Sequence, residues 1–154
     1  MSYQILLIDD NPADSRLILE AFKQNSDFDK FEFSFAYDGE EAIRFLNSTI
    51  NLNNQIGLIL LDLNLPRIDG KEVLSFIKSK PFFESTPVVI SSNSDYHKDI
   101  DECSLLKADA YVQKPQNFAD LIDFASSISN SFEESGVVNI DMLQCQFEKA
   151  RIAI

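Results

Sequence analysis

Three apolar runs in this chain each end on charge: ILLIDD closes with Asp9 and Asp10, LILLDLNLP carries Asp62, and AYVQKP delivers Lys114. Runs apolar on both faces are what parallel strands covered by helices require. Ending such a strand in ionised carboxylates is costly unless a cation or hydrogen-bond donors wait there. If the three runs are neighbouring parallel strands, their carboxyl ends gather three carboxylates and one ammonium at a single edge, which is a cation and phosphoryl site. Crowded carboxylates repel one another and a divalent metal relieves the repulsion. Oxygen-only ligands favour a hard ion, Mg2+ or Mn2+, over zinc.

The elements that must position these residues alternate along the chain. The first strand, Gln4 to Ile8, leads into a helix with Asn11 as N-cap and Pro12 at its first position, and Leu17, Ile18, Ala21 and Phe22 recur at helical spacing. FEFSFA, Phe31 to Ala36, alternates as an edge strand does, and Asp38-Gly39 turns into a helix carrying Ala42, Ile43, Phe45 and Leu46. The polar stretch Asn47 to Gln55 reads as a loop. The third strand, Leu58 to Asp62, is followed by a turn from Pro66 to Gly70 and a helix with Val73, Leu74 and Ile77. KPFFESTP cannot continue that helix and leads into a fourth strand, Val88 to Ser91. A helix near Tyr96 to Leu106, a fifth strand from Ala110 to Gln113 and a helix from Asn117 to about Phe132 complete the pattern. Five strands each followed by a helix give an α/β doubly wound sheet, in which ligands bind beyond the carboxyl ends of the strands.

At 154 residues, 45% hydrophobic and 25% charged, the chain has the size and composition of one globular domain. Its net charge of -12 argues against nucleic acid as a partner, because counterion release needs clustered Lys and Arg. No apolar run approaches the ~20 residues of a membrane helix, and MSYQILLIDD lacks the features of a signal peptide. The expected compartment is the cytoplasm. Cys103 and Cys145, without CxxC spacing, read as packing residues, and His97, the single histidine, as a solvated one.

The quoted segments resemble a known family. LLIDDNPAD, LILLDLNLPRIDG, PVVISS with Ser92 and AYVQKP with Tyr111 and Lys114 fall in the order and at the spacing of receiver domains of bacterial two-component response regulators, over roughly residues 3 to 132. DDNPAD, DLNLPRIDG and the KPFFESTP loop look most like the single-domain, chemotaxis-regulator-like receivers associated with bacterial phytochromes. The resemblance implies a flavodoxin-like five-stranded sheet in the order 2-1-3-4-5 with helices on both faces. It implies that Asp62 takes a phosphoryl group from a sensor histidine kinase or a histidine phosphotransfer protein. Mg2+ (or Mn2+) would be held by Asp9, Asp10, Asp62 and the backbone carbonyl of Asn64. Ser92 and Lys114 would meet the phosphoryl oxygens, and Ser92 and Tyr111 would switch. Cis geometry at Lys114-Pro115 belongs to the same expectation. The product is a phosphoacceptor switch, not an enzyme beyond slow self-dephosphorylation, that signals by binding a downstream protein. The resemblance also suggests a homodimer through the fourth-helix to fifth-helix face.

The chain departs from the pattern in places. Lys107 stands where the family usually has glycine after the fourth helix, and a non-glycine residue in left-handed conformation there would cost roughly 1–2 kcal/mol, so that loop is open to a different construction. Asn93 is bulkier than the usual small residue after Ser92, and Asn64 and Ser94 occupy positions that tune self-dephosphorylation. One-residue slippage would exchange Ser92 for Ser91. Beyond the receiver, residues 1–134, the segment 135–154 is too short for a DNA-binding or enzymatic output domain. Gly136 breaks the preceding helix, and Asp141 offers a cap for a further one with Leu143, Phe147, Ala150 and Ile154 on one face. Rival readings are a Mg-dependent aspartyl-phosphate phosphohydrolase, which would want DxDx[TV] after its first strand; a flavodoxin-like electron carrier, which would want a Ser/Thr/Gly-rich phosphate loop there; and a receiver that docks without phosphorylation.

Overall fold

The computed structural model describes residues 2–93 and 97–150. Five strands, β1 (Tyr3–Ile8), β2 (Phe31–Ala36), β3 (Leu58–Leu61), β4 (Val88–Ser92) and β5 (Ala110–Gln113), form one parallel sheet in the order β2-β1-β3-β4-β5. The helices between them are α1 (Pro12–Phe22), α2 (Gly39–Asn51), α3 (Gly70–Ser79) and α4 (His97–Leu105), with α5 (Phe118–Ser129) and α6 (Ile140–Ala150) after the last strand. The chain order and the doubly wound sheet are those the alternating pattern predicts.

Strand alternation splits the core into two layers. Ile5, Leu7, Leu58, Leu60, Val89 and Val112 face α1 and α5, where Phe22 and Phe124 are fully buried. Leu6, Ile8, Ile59, Leu61, Val88 and Ile90 face the opposite layer, with Leu46 of α2, Val73, Leu74 and Ile77 of α3, and Cys103 of α4. Because β1, β3 and β4 are apolar on both sides, burial alone fixes them as the central strands.

Local chemistry sets the helix starts. The Asn11 side chain accepts from the Ala13 N–H, with Pro12 at the first helical position; Asp38 accepts from Glu41 and Asn117 from Asp120. Each satisfies a donor that the helix leaves open. KPFFESTP contains one short 3-10 turn, Pro81–Phe83, that buries Phe83.

Four expectations need correction. The stretch Asn47 to Gln55 is not wholly loop: α2 runs to Asn51, with Thr49 buried and donating to the Leu46 carbonyl, so side-chain packing overrides the poor propensity of its asparagines. The last helix of the receiver ends at Ser129, not near Phe132, which instead bridges to Val138. The following helix is capped by Asn139, whose side chain accepts from the Met142 N–H, not by Asp141. After α4 the chain keeps the left-handed exit with Lys107 itself at φ 69°. The Ala108 N–H bonds the Cys103 carbonyl and the Lys107 N–H bonds the Ser104 carbonyl, a pair of bonds that closes the helix end and holds the lysine in place. Tyr96, Ser94 and Ile154 lie outside the described residues.

α6 is part of the core. Leu143 and Phe147 are fully buried in the layer that contains α1 and α5, and Phe147 stacks on Phe124 with ring centres 5.6 Å apart.

Candidate functional site

The carboxyl ends of β1, β3 and β5 deliver the charged residues to one edge. The Asp9 N–H donates to the Ala36 carbonyl and the Asp62 N–H to the Ile8 carbonyl, so sheet pairing carries on past the formal strand ends and fixes both backbones. The Lys114 N–H likewise donates to the Ser92 carbonyl. The three side chains then meet: Lys114 Nζ lies 2.8 Å from Asp9 Oδ2 and 3.1 Å from Asp62 Oδ2. All three are largely buried, with 14%, 8% and 7% of their side chains exposed in that order.

The other oxygens are also engaged. Asp9 Oδ1 accepts from the Asn11 N–H and Asp62 Oδ1 from the Asn64 N–H. Asp10 is exposed beside them, and one oxygen from each of Asp9, Asp10 and Asp62 falls within 4.8 Å of the others. Donors that are all carboxylate oxygens, crowded and only partly neutralised by one ammonium, fit a hard divalent cation.

The electrostatics follow from burial and crowding. Burial pushes the Asp62 carboxyl up; Lys114's charge pulls it back, the Asp9 charge pushes it up again, and the net shift is upward. Burial by itself would lower the Lys114 ammonium, but the hydrogen bond it donates to Asp9 and the charges of Asp62 and Asp9 outweigh it, so the ammonium is held more firmly protonated than a free lysine. Asp62 is therefore a carboxylate whose negative charge is penalised by burial and held beside a fixed positive neighbour.

The loop after Asp62 is braced from beneath. A Cβ on Gly70 would stand 2.4 Å from the Asp62 carbonyl oxygen and 2.6 Å from Leu63 Cα, so only glycine lets the start of α3 pack this close. Arg67, at φ 70°, ties the same loop to α2 through Asp38 at 3.5 Å and Glu40 at 3.3 Å.

Ser91 and Ser92 are both buried but point to opposite sides of β4. Ser91 lines a cleft of about 140 Å3 with Asp9, Asp14, Asn93, Lys114 and Pro115. Ser92, two residues after Ile90, lies on the face of Ile90 and its register partner Tyr111, which packs half-buried against that layer. The Lys114–Pro115 peptide is trans, against expectation; a tertiary amide leaves the two forms within roughly 1 kcal/mol, too little for sequence to decide.

One contact was not foreseen. Asp14 Oδ2 lies 3.2 Å from Lys114 Nζ, making a third carboxylate partner for that ammonium. Its signal in the sequence is an acid in the first turn of a helix that begins at the strand end, where helix-dipole preference is the ordinary explanation.

Among the described residues no helix is long and apolar enough to cross a membrane. The response regulator receiver domain family model matches residues 5–126. Response regulator Rcp1 of Synechocystis is 38% identical over 133 residues, 85% of this chain and 89% of the relative. The probable methanogenesis regulatory protein FilR2 of Methanothrix harundinacea is 34% identical, over 76% of this chain and 75% of its own length. Among solved structures, the Mn2+-bound form of Rcp1 superposes with TM-score 0.75 at 34% identity, covering 89% of this chain and 99% of the other. The phosphorylated cyanobacterial phytochrome response regulator RcpA does so with TM-score 0.77 at 36% identity, covering 90% and 99%.

Proposed function

The chain belongs to the response regulator receiver domain family, the signalling switches of two-component systems, and from that premise we propose that Asp62 is its phosphoacceptor. The observation that carries the reading is the pairing of Lys114 with Asp9 and Asp62, residues 105 and 52 positions away in sequence, at one strand-end edge. An ordinary surface lysine or a helix-capping acid has no reason to converge in this way.

In the proposed reaction an Asp62 carboxylate oxygen attacks the phosphorus of a phosphohistidine on a sensor kinase or histidine phosphotransfer protein. The new P–O bond forms as the P–N bond breaks, the electron pair leaves with the imidazole, and Asp62 becomes an acyl phosphate. Asp9, Asp10 and Asp62, with the Asn64 carbonyl, would hold Mg2+ or Mn2+, which when bound supplies positive charge against the transferring oxygens. The Mn2+-bound form of Rcp1 and the phosphorylated form of RcpA support this assignment by similarity. Lys114 gives a phosphoryl oxygen a charge-assisted hydrogen bond. Ser92 moves toward the new oxygens and Tyr111, on the same face of the sheet, turns inward, which alters the surface of α4, β5 and α5. That surface binds the downstream protein, or a second copy of the chain, in the cytoplasm. Self-dephosphorylation is the only turnover, and it is slow. The extension, residues 135–154, is anchored to the receiver through Leu143 and Phe147 of α6.

The reading is tested by incubating the protein with Mg2+ and acetyl phosphate and following intact mass. One phosphoryl group is gained by the natural protein and none by Asp62→Asn. Gain by the variant, or turnover of phosphate esters by either protein, overturns it.

A further inference from the structure

Among the described residues Lys114 has three carboxylate partners, at 2.8 Å (Asp9), 3.1 Å (Asp62) and 3.2 Å (Asp14). Two of them belong to the trio whose oxygens converge for a cation; Asp14 does not. When a divalent ion occupies that trio, the oxygens of Asp9 and Asp62 turn part of their charge toward it, and Asp14 becomes the acid best able to retain the ammonium. Asp14 also borders the cleft that leads past Lys114, alongside Asn93 and Pro115. With 37% of its side chain exposed, it can be given up to water at little cost when Lys114 leaves.

Resting on the phosphoacceptor reading, we propose that Asp14 is a positioning residue that holds Lys114 away from the incoming phosphoryl group, so that phosphorylation is a transfer of one ammonium from Asp14 to phosphoryl oxygens. The argument is one of competition. A single ammonium cannot serve the Asp14 carboxylate and a phosphoryl oxygen with full strength at once, and the two anions repel across it. The Asp14 position is fixed by local structure: Asn11 caps α1 and Pro12 sets its first turn, which aims the third helical residue at the strand ends. Sequence pattern alone explains an acid there by the helix dipole. The 3.2 Å approach to Lys114, just past the end of β5 and a hundred residues away, does not follow from a dipole preference.

The test is the affinity of the full chain for beryllofluoride at saturating Mg2+, for the natural protein, Asp14→Asn and Asp14→Glu. Removing one anion a few ångströms from the bound oxygens in a half-screened site tightens binding about tenfold in Asp14→Asn. The gain shrinks as salt is raised, and Asp14→Glu stays within about twofold of the natural protein. Calorimetric titration of Mg2+ alone moves the other way, with weaker binding in Asp14→Asn, so a general loosening that weakens both ligands is told apart. Unchanged or weaker beryllofluoride binding in Asp14→Asn overturns the proposal while leaving the phosphoacceptor reading intact. Failure of the natural protein to bind beryllofluoride overturns both.

Discussion

Replacing Lys114 by methionine keeps most of the side chain's volume and removes the charge that three carboxylates share. A hydrogen bond to a charged group is worth roughly 1.5–3 kcal/mol, and stripping one partner from a buried pair costs roughly 3–5 kcal/mol. Asp9 and Asp62 are buried, whereas Asp14 is partly exposed and is rehydrated cheaply. Lys114→Met is therefore expected to lose about 3 kcal/mol in urea unfolding at pH 7 with EDTA present. Asp62→Asn removes one of the acids that Lys114 must neutralise, and in that background the same replacement should cost about half as much, a coupling near 1.5 kcal/mol. The pH dependence has a definite sign. Asp62's pKa is raised by folding, so its charged form is penalised: metal-free stability falls as pH rises from the unfolded carboxylate value, about 4, through the higher folded value. Asp62→Asn lacks that decline. A Lys114→Met cost under about 0.5 kcal/mol, or an equal cost with and without Asp62, would show that the ammonium is not electrostatically joined to the acid pair.

Three further outcomes follow from the packing. Phe147→Ala deletes a fully buried ring stacked on Phe124 and should cost about 3–5 kcal/mol in chemical denaturation; a loss under 1 kcal/mol would mean that α6 is not docked in solution. Lys107→Gly relieves left-handed strain of roughly 1–2 kcal/mol against a glycine entropy cost of roughly 0.5–1 kcal/mol. A slight rise in thermal midpoint is expected, and a fall would refute the strain. Gly70→Ala drives a methyl into the Asp62 and Leu63 backbone, costing roughly 1–3 kcal/mol and slowing phosphorylation by acetyl phosphate; a normal rate with normal stability would mean that the loop is not braced by α3.

The sheet was legible because its evidence is redundant. Leu58–Leu61 and residues 88–90 are short, apolar on both faces and bounded by turn signals, and the sheet puts their strands in its interior. The convergence of Asp9, Asp62 and Lys114 was legible because each ends or follows an apolar strand, and the strand order implied by the family resemblance brings those carboxyl ends to one edge. What escaped depends on angle and packing. Asp14 looks like any first-turn acid until the approach of α1 to β5 is known. Asn47–Asn51 reads as polar loop because its burial rests on Thr49 and the half-buried Ile50, set among asparagines and a serine. The cap of α6 moved by two residues, a choice between two good cap formers that only backbone geometry decides. Lys107 was recognised as out of pattern, but whether the chain would accept strain or rebuild its loop turns on the Cys103 and Ser104 carbonyl bonds, which leave no trace in composition.

The central claim is that one particular carboxylate takes the phosphoryl group, and its most direct test is chemical. Protein treated with acetyl phosphate and Mg2+ is reduced with borohydride, which converts an aspartyl phosphate to homoserine, and the position of the change is read by peptide mass mapping. The account predicts reduction at position 62 alone, dependent on Mg2+. Reduction at Asp9, Asp10 or Asp14 in place of Asp62, or at none of them although phosphoryl is taken up, would contradict it.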